Sequence, residues 1–533
     1  MEYKIFDKKI SGPFTIPSGI VATEIPILKR IGNEIPELGI LTTKSIGPEP
    51  RSGNKEPIIG EPYPFSIINA VGLTNPGAKE FAKKISEVKI PEDKFLLISI
   101  FGGNEEEFKE VAEKLVDFAD GFELNISCPH SEKYGQAVGK DYQLVEKIVK
   151  KVSGLGKPVL VKISPNLDLK ETLKRAIKGG VSGITAINTK GPELYLCDGY
   201  PVLSNKVGGI SGKAILELGL KCVKEVRRIT DLPIIACAGI STASDVKKYK
   251  KAGANFFGIG VSLTGMNTEE IKVYFHELLM DLEKGTNNAA KILKENWRMK
   301  YKKYEVREKK FLAKNLFLLK LNGKINIEPG QFVFTWLPEK GEKPFSVLDD
   351  EPISLLVKIR GYFTEELSKL ERGGIVYLRG PYGNSPKIKG KTLLVGGGTG
   401  IAALYLFTKR NQGTIALLGG KDKNSLAYLE EFQKRSEKVY LATESGELGH
   451  KGLVTEILEE AIKKFQPEYC LNCGPREMVE RAIQIETKYL NPEKIYSSIE
   501  FLTKCGVGLC GSCATFRGYR SCVDGTFLKP NQI

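Results

Sequence analysis

Across 533 residues the chain carries three histidines, no apolar run of eighteen residues, and no cysteine before position 128. His130, His276 and His450 are isolated from one another and from any cysteine pair, so they are read as surface or packing residues rather than ligands. Without an eighteen-residue apolar run there is no segment to span a bilayer, and no membrane partner is expected. The opening MEYKIFDKKI lacks the basic, apolar and small-residue succession of a secretory signal, so a cytoplasmic protein is expected. The formal charge of +15 is not gathered into an arginine-rich run. Lysines such as those at 247–251 are scattered over helical stretches, next to acidic ones such as 105–110. That pattern describes a solvated face with some capacity to steer anions, not a nucleic-acid module. Low-complexity segments are absent too.

What is present is a globular composition, 41% hydrophobic and 27% charged, in a chain long enough for two or three domains. Eight apolar runs punctuate the first half: IPSGI (16–20), GILTTKS (39–45), FLLISI (95–100), GFELNIS (121–127), PVLVKIS (158–164), GITAIN (183–188), PIIACAG (233–239) and FFGIG (256–260). Between them lie stretches such as EEFKEVAEKLVDFA and DYQLVEKIVKKV, with apolar residues three and four apart. Eight strands alternating with helices predict an α/β fold, a (β/α)8 TIM barrel over 1–285, with an open doubly wound sheet as the alternative. A polar, charged stretch at 286–303 reads as a linker. Hairpin-rich segments at 304–388 predict a small antiparallel β-barrel, and 389–497 a Rossmann-like nucleotide domain. The last segment, 498–533, holds four of the ten cysteines.

In a (β/α)8 barrel the strands' C-terminal ends open onto the active site. At or just beyond the ends of the apolar runs stand Lys44, Ser99, Asn125 with Cys128, Lys162, Asn188 with Thr189, and Gly239; Asn69 and Gly72 fall in the loop INAVGLTNPG. Asparagines at strand ends can simply satisfy turn backbones. Two lysines converging on one mouth are expected to repel unless an anion lies between them.

TTKS (42–45), NAVGLTNPG (69–77), NISCPH (125–130), VKISPN (161–166), INT (187–189) and the GGISG, CAGI and GIG turns together resemble class 1 dihydroorotate dehydrogenases over nearly all of the first 265 residues. The resemblance implies FMN on the barrel mouth and dihydroorotate, oxidised to orotate, beside it. Gly212, Gly239 and Gly260, with Val261, would let backbone N–H groups approach the flavin phosphate. Lys162 resembles the lysine at the flavin N1–C2 carbonyl edge, where a fixed cation favours the anionic reduced flavin. Ser18, Lys44, Ser45, Ser99, Asn125 and Ile187 would also touch the flavin. Lys44, Asn69, Gly72, Leu73, Asn125, Asn188 and Thr189 would bind the planar pyrimidine. Cys128 would be the base for the substrate C5 proton, its thiol made usable by nearby cations. A buried structural cysteine is the other reading of that residue.

The stretch from Cys505 through Cys510 and Cys513 to Cys522 has the spacing C-x4-C-x2-C-x8-C. Four thiolates so arranged suit a two-iron cluster, with tetrahedral zinc as the alternative. The segment holds little apolar sequence, so its order is expected to depend on metal. KPFS (343–346) and GPYGNSP (380–386) resemble the flavin barrel of ferredoxin reductases, implying FAD near Lys343, Phe345, Ser346 and Gly380. That family's pattern begins with arginine, which forks onto a pyrophosphate; Lys343 cannot, and 361–364 also departs from the usual glycine–lysine–glycine–threonine turn. FMN is therefore the alternative in the second flavin site. GGGTGIAAL (396–404) after the strand KTLLV is expected to open a helix, with Gly396, Gly397, Gly398 and Gly400 cradling NAD.

With CGP (473–475) and TESGELGHKG (443–452), residues 300–533 resemble the electron-transfer subunit of class 1B dihydroorotate dehydrogenases. The whole chain then resembles that family's two subunits fused, with electrons passing from dihydroorotate to FMN, a 2Fe-2S cluster, FAD and NAD. A homodimer or higher homo-oligomer is expected. A dihydropyrimidine dehydrogenase, or a redox relay with another acceptor, remains the alternative.

Overall fold

Parallel strands covered by helices are buried on both faces and read as unbroken apolar runs rather than alternating ones. All eight runs of the first half overlap such a strand: β1 (Phe14–Ile16), β2 (Leu38–Thr42), β3 (Phe95–Ile100), β4 (Gly121–Asn125), β5 (Val159–Ile163), β6 (Gly183–Ala186), β7 (Ile234–Ala236) and β8 (Phe256–Gly258). Each pairs in parallel with the next and β8 pairs with β1, closing a (β/α)8 barrel and excluding the open sheet. This computed structural model describes residues 2–127 and 136–533. They form two compact units, Met1–Trp297 with Val507–Ser512, and Arg298–Gly506 with Cys513–Ile533.

One helix follows each strand: α1 (Ile25–Glu34), α2 (Ala78–Ser86), α3 (Glu105–Leu115), α4 (Tyr142–Ser153), α5 (Leu169–Lys178), α6 (Leu216–Ile229), α7 (Ala243–Ala252) and α8 (Thr268–Lys284). Their starts are written in the sequence. Asn104 accepts from the N–H groups of Glu106 and Glu107, Asp141 caps α4 and Asp168 caps α5. Thr242 and Asn267 form capping boxes, while Gly253 and Gly285 end α7 and α8 in left-handed conformation.

The sequence runs extend past the strands they overlap. IPSGI contributes only Ile16 to β1, because Pro17 cannot donate to a sheet and Gly19 has φ +85°. A four-stranded antiparallel sheet of Ile59–Tyr63, Ser66–Asn69, Lys190–Leu194 and Val207–Gly212 was not anticipated. Its strands contain Gly60, Pro62, Gly191 and Pro192, which break the alternation by which strands are recognised. Asn69 thus ends a strand instead of lying in a loop, paired in register with Gly209.

In the second unit, β9 (Lys302–Ala313), β10 (Leu316–Leu321), β11 (Phe332–Leu337), β12 (Gly341–Asp350), β13 (Ile353–Lys358) and β14 (Ile375–Tyr382) close an antiparallel barrel. Its core is Phe317, Leu319, Val333, Leu355, Val357 and their neighbours. A parallel six-stranded sheet follows, built from β15 (Thr392–Gly397), β16 (Thr414–Gly420), β17 (Lys438–Thr443), β18 (His450–Lys451), β19 (Tyr469–Cys473) and β20 (Ile495–Ser498). Their spatial order is β18-β17-β16-β15-β19-β20, so the chain changes direction beside β15. In open α/β sheets that reversal leaves a crevice at the strands' C-terminal ends.

The cysteine-bearing tail buries more than its composition suggested. Phe527 packs edge-on to Phe407, and Leu528 pairs with Ser497 through both backbone hydrogen bonds. Gly383 N–H donates to Cys522 O at 3.1 Å and Asn384 Nδ2 donates to Val523 O at 2.6 Å. Anchors at its far end therefore hold the tail independently of its thiols.

Candidate functional site

The register of the barrel sets Asn125 beside Lys162, and Ser99 beside Glu123. Glu123 and Lys162 then meet across β4 and β5, Oε1 to Nζ at 3.5 Å, with both side chains buried to 2% and 6% exposure. A hydroxyl chain leads to this pair. Ser18 Oγ lies 3.1 Å from Ser45 Oγ, Ser45 Oγ 2.9 Å from Ser99 Oγ, and Ser99 Oγ 3.0 Å from Glu123 Oε1. A carboxylate only accepts, so Ser99 donates to Glu123 and must accept from Ser45. Asn125 Nδ2 also donates to Ser45 Oγ, at 2.9 Å. Ser18, Ser45, Ser99, Asn125 and Lys162 are thus brought together as a single hydrogen-bonded set.

Lys44 is held separately. Its ammonium lies 2.7 Å from Glu24 Oε1, the residue preceding α1. The expected repulsion between two mouth lysines is therefore met by the protein itself, one carboxylate for each ammonium, and needs no anion between them. Cys237 faces the barrel interior, where burial pushes its thiol up to about 12 and keeps it protonated.

A second amide cluster flanks the first. Asn188 Nδ2 donates to Ser127 Oγ at 2.9 Å, Ser127 Oγ donates to Asn125 Oδ1 at 3.3 Å, and Thr189 N–H donates to Asn188 Oδ1 at 2.8 Å. Ile187 is buried, and its N–H donates to Cys237 O. Asn69 Nδ2 reaches Gly209 O at 3.4 Å, away from these amides' hydrogen bonds. Gly72 and Leu73 both take positive φ, +85° and +55°. Cys128 and His130 lie outside the described residues.

The three glycine turns differ. Gly212 and Gly239 have φ +90° and +66°, and a Cβ on Gly239 would stand 2.8 Å from Gly212 O. Gly260 has φ −123°, so there the constraint is space: its Cβ would meet Ile20 Cδ1 at 2.7 Å. Gly212 and Gly260 each precede a short 3-10 turn, the second beginning at Val261. Side-chain-free backbone at these turns suits close approach of a phosphate.

In the second unit, Lys343, Phe345 and Ser346 lie half-buried along β12, and Gly380, φ +122°, lies on β14. Arg379 next to it is no substitute for the missing fork, because its guanidinium is taken up by Glu342, Tyr382 and the Cys505 carbonyl. The altered turn at 361–364 starts the helix Tyr362–Ser368, with Thr364 Oγ1 accepting from the N–H groups of Arg360 and Gly361. Gly396 and Gly397 end β15, and Gly398, φ +56°, has open space where a Cβ would stand. Gly400 is pressed against Cys473 O, at 2.3 Å from its ideal Cβ. The chain does not enter an α-helix here: Gly398–Ala403 is a 3-10 turn and the α-helix is only Tyr405–Arg410. Four glycines in the five residues 396–400 make a poor start for a helix.

Cys505, Cys513 and Cys522 converge in the second unit. Cys513 Sγ and Cys522 Sγ are 3.4 Å apart, and all three are buried. The Cys522 thiol, flanked by the other two, is pushed well above the usual range, while the hydrogen bond between the two sulfurs holds Cys513 below that range. Cys510 falls in the stretch assigned to the first unit, with Sγ 3.1 Å from Ser512 Oγ. None of the four is in a disulfide. Among the described residues no group of three or more His, Cys, Asp or Glu side chains is arranged as a metal-ion site. The donor chemistry nonetheless fits iron or zinc: buried thiols on a loop whose Gly506 and Gly511 take φ +81° and +70°.

Residues 1–282 match the family described as dihydroorotate dehydrogenase. The chain belongs to that family. It is an oxidoreductase of the dihydroorotate dehydrogenase type. The catalytic subunit of dihydroorotate dehydrogenase B (NAD(+)) from Pyrococcus horikoshii is 40% identical over 266 residues, covering 49% of this chain and 86% of that protein. The same-named subunit from Methanocaldococcus jannaschii is 39% identical over 258 residues, 47% of this chain and 83% of that one. The Thermococcus kodakarensis subunit is 43% identical over 232 residues, 43% of this chain and 76% of its own. A solved NADH-dependent reduced ferredoxin-NADP oxidoreductase, studied for flavin-based electron bifurcation, aligns with TM-score 0.39 and 29% identity over 43% of this chain and 88% of its own. No helix among the described residues is long and apolar enough to cross a membrane.

Glu123, Glu24 and Ser127 were not singled out from sequence. Glu123 had left a signal, a lone carboxylate inside the apolar run GFELNIS. A charge inside a buried strand requires a buried partner.

Proposed function

We propose that this chain oxidises dihydroorotate to orotate in pyrimidine biosynthesis with NAD as acceptor, in the cytoplasm, as a fusion of the two class 1B subunits that forms a homodimer or higher oligomer. The reading rests most on one observation: Asn125, Lys162, Ser45 and Ser99 form one buried hydrogen-bonded set at the C-terminal ends of a closed parallel barrel.

FMN would be held by Ser18, Ser45, Ser99, Asn125 and Lys162 on one side and by the backbone at Gly212, Gly239, Gly260 and Val261 on the other. Asn125 and Asn188, linked through Ser127, would present fixed amide atoms to the pyrimidine, with Lys44, Asn69, Gly72, Leu73 and Thr189 completing the pocket. Cys128 would take the C5 proton of dihydroorotate as hydride leaves C6. In the second unit, FAD would lie along Lys343, Phe345, Ser346 and Gly380, and NAD at Gly396, Gly397, Gly398 and Gly400 in the crevice between β15 and β19. Cys505, Cys510, Cys513 and Cys522 would ligate a 2Fe-2S cluster. Bound together, these groups supply an electron path in which flavins exchange electrons singly or in pairs and the cluster singly.

Anaerobic titration with dihydroorotate tests this: flavin absorbance should bleach stoichiometrically and recover on adding NAD. No bleaching by dihydroorotate would reject the substrate, and bleaching without recovery would reject NAD as acceptor.

A further inference from the structure

A carboxylate buried to 2% exposure in the wall of an α/β barrel is costly unless its charge is answered. Glu123 has two answers, both on Oε1: the Ser99 hydroxyl at 3.0 Å and the Lys162 ammonium at 3.5 Å. Ser99 in turn is fixed by Ser45, which is fixed by Asn125 and Ser18, so the carboxylate is held by a hydroxyl that is itself held in place. Lys162, by contrast, sits on a flexible four-carbon stem, whose ammonium has several rotamers open to it unless a fixed acceptor holds it. Cys237 also faces Lys162, from β7, but its protonated thiol supplies no charge.

We infer that Glu123 is a positioning residue for Lys162, tethering one of its three ammonium donors so that the side chain stays aimed at the barrel mouth. Resting on the FMN reading above, this assigns Glu123 the work of keeping a fixed cation at the flavin carbonyl edge. It touches neither flavin nor substrate. Ser99 is the lever that holds Glu123 in turn.

The test is made on the full-length holoprotein with sulfite, which adds to the flavin N5 position and whose adduct is stabilised by a cation at the carbonyl edge. Glu123→Gln keeps the shape and removes the charge. It should bind sulfite at least about tenfold more weakly than wild type and lower the FMN midpoint potential, while FMN content by extraction stays near one per barrel. Glu123→Asp keeps the charge on a shorter stem and should fall between the two, which preserves the test if the glutamine variant does not fold. Wild-type sulfite affinity and potential in these variants, or tighter sulfite binding, would overturn the assignment. A wild-type protein that extracts without FMN would overturn the proposed function first, and this inference with it.

Discussion

Arg379 donates from Nη1 to the backbone carbonyl of Cys505 at 2.9 Å. Its other nitrogens fork onto Glu342, Nε to Oε2 at 2.9 Å and Nη2 to Oε1 at 2.5 Å, with both side chains fully buried. The guanidinium stacks 4.0 Å from the centre of Phe334, and Tyr301 donates to the same carboxylate. One buried ion pair thus fastens the first thiol of the C-terminal segment to the antiparallel barrel. Bidentate pairs are strong, yet breaking one from a single side leaves an unanswered buried charge.

Arg379→Met should therefore destabilise the second unit by about 3–5 kcal/mol, and the double change Arg379→Met with Glu342→Gln should recover part of that loss. Denaturant unfolding of these two and of Glu342→Gln alone measures the coupling. Equal and additive losses would mean that the pair is not what holds this region.

How much of this was legible depends on what each residue answers to. The barrel strands were legible because burial on both faces leaves one unbroken apolar signature, whereas the caps Asn104, Asp141 and Thr242 were not singled out. The sheet of 59–69 and 190–212 was not, since Pro62 and Pro192 interrupt the pattern while tertiary pairing maintains the strands. Lys44 and Lys162 were found as strand-end residues, but their carboxylates lie 20 and 39 positions away and no spacing rule connects them. Sequence distance likewise hides the grip of Gly383 and Asn384 on Cys522 and Val523.

Glu486 gives a pH prediction. It ends the helix Arg476–Glu486 and accepts from Asn472 Nδ2 at 2.7 Å; burial pushes its carboxyl from 4.5 up to about 7. An acid whose folded pKa is raised stabilises fully below its unfolded value, and that contribution is lost as pH rises through the folded one. Stability of the six-stranded parallel-sheet domain should accordingly fall between about pH 4.5 and about pH 7, by about 3 kcal/mol from this group. Glu486→Gln should flatten that part of the profile. Thermal unfolding across pH shows it, and parallel wild-type and variant curves would reject it.

Ser127 fixes two amides at once, accepting from Asn188 and donating to Asn125. Ser127→Ala releases both, and each lost hydrogen bond is worth about 1 kcal/mol. KM for dihydroorotate should rise by roughly three- to tenfold while FMN content is unchanged, because the flavin-side bond from Asn125 to Ser45 survives. Loss of FMN instead would place Ser127 in the flavin site rather than the substrate site.

The last prediction turns on Cys510. Cys505, Cys513 and Cys522 are already gathered, with the Cys513 thiol held below its usual range by its hydrogen bond with Cys522. Three thiolates leave a two-iron centre one ligand short, and Cys510 completes the C-x4-C-x2-C-x8-C spacing. The tail should survive its loss, since Phe527 and Leu528 anchor it without help from metal. Cys510→Ser should therefore abolish both the low-temperature paramagnetic signal of the reduced protein and its reduction of NAD by dihydroorotate. Reduction of an artificial dye by dihydroorotate should persist, because the barrel's own residues are untouched, and the unfolding temperature should change little. A wild-type protein that is diamagnetic on reduction and holds one zinc per chain would make these thiols a structural site, and the electron path would then have to leave the barrel by another route.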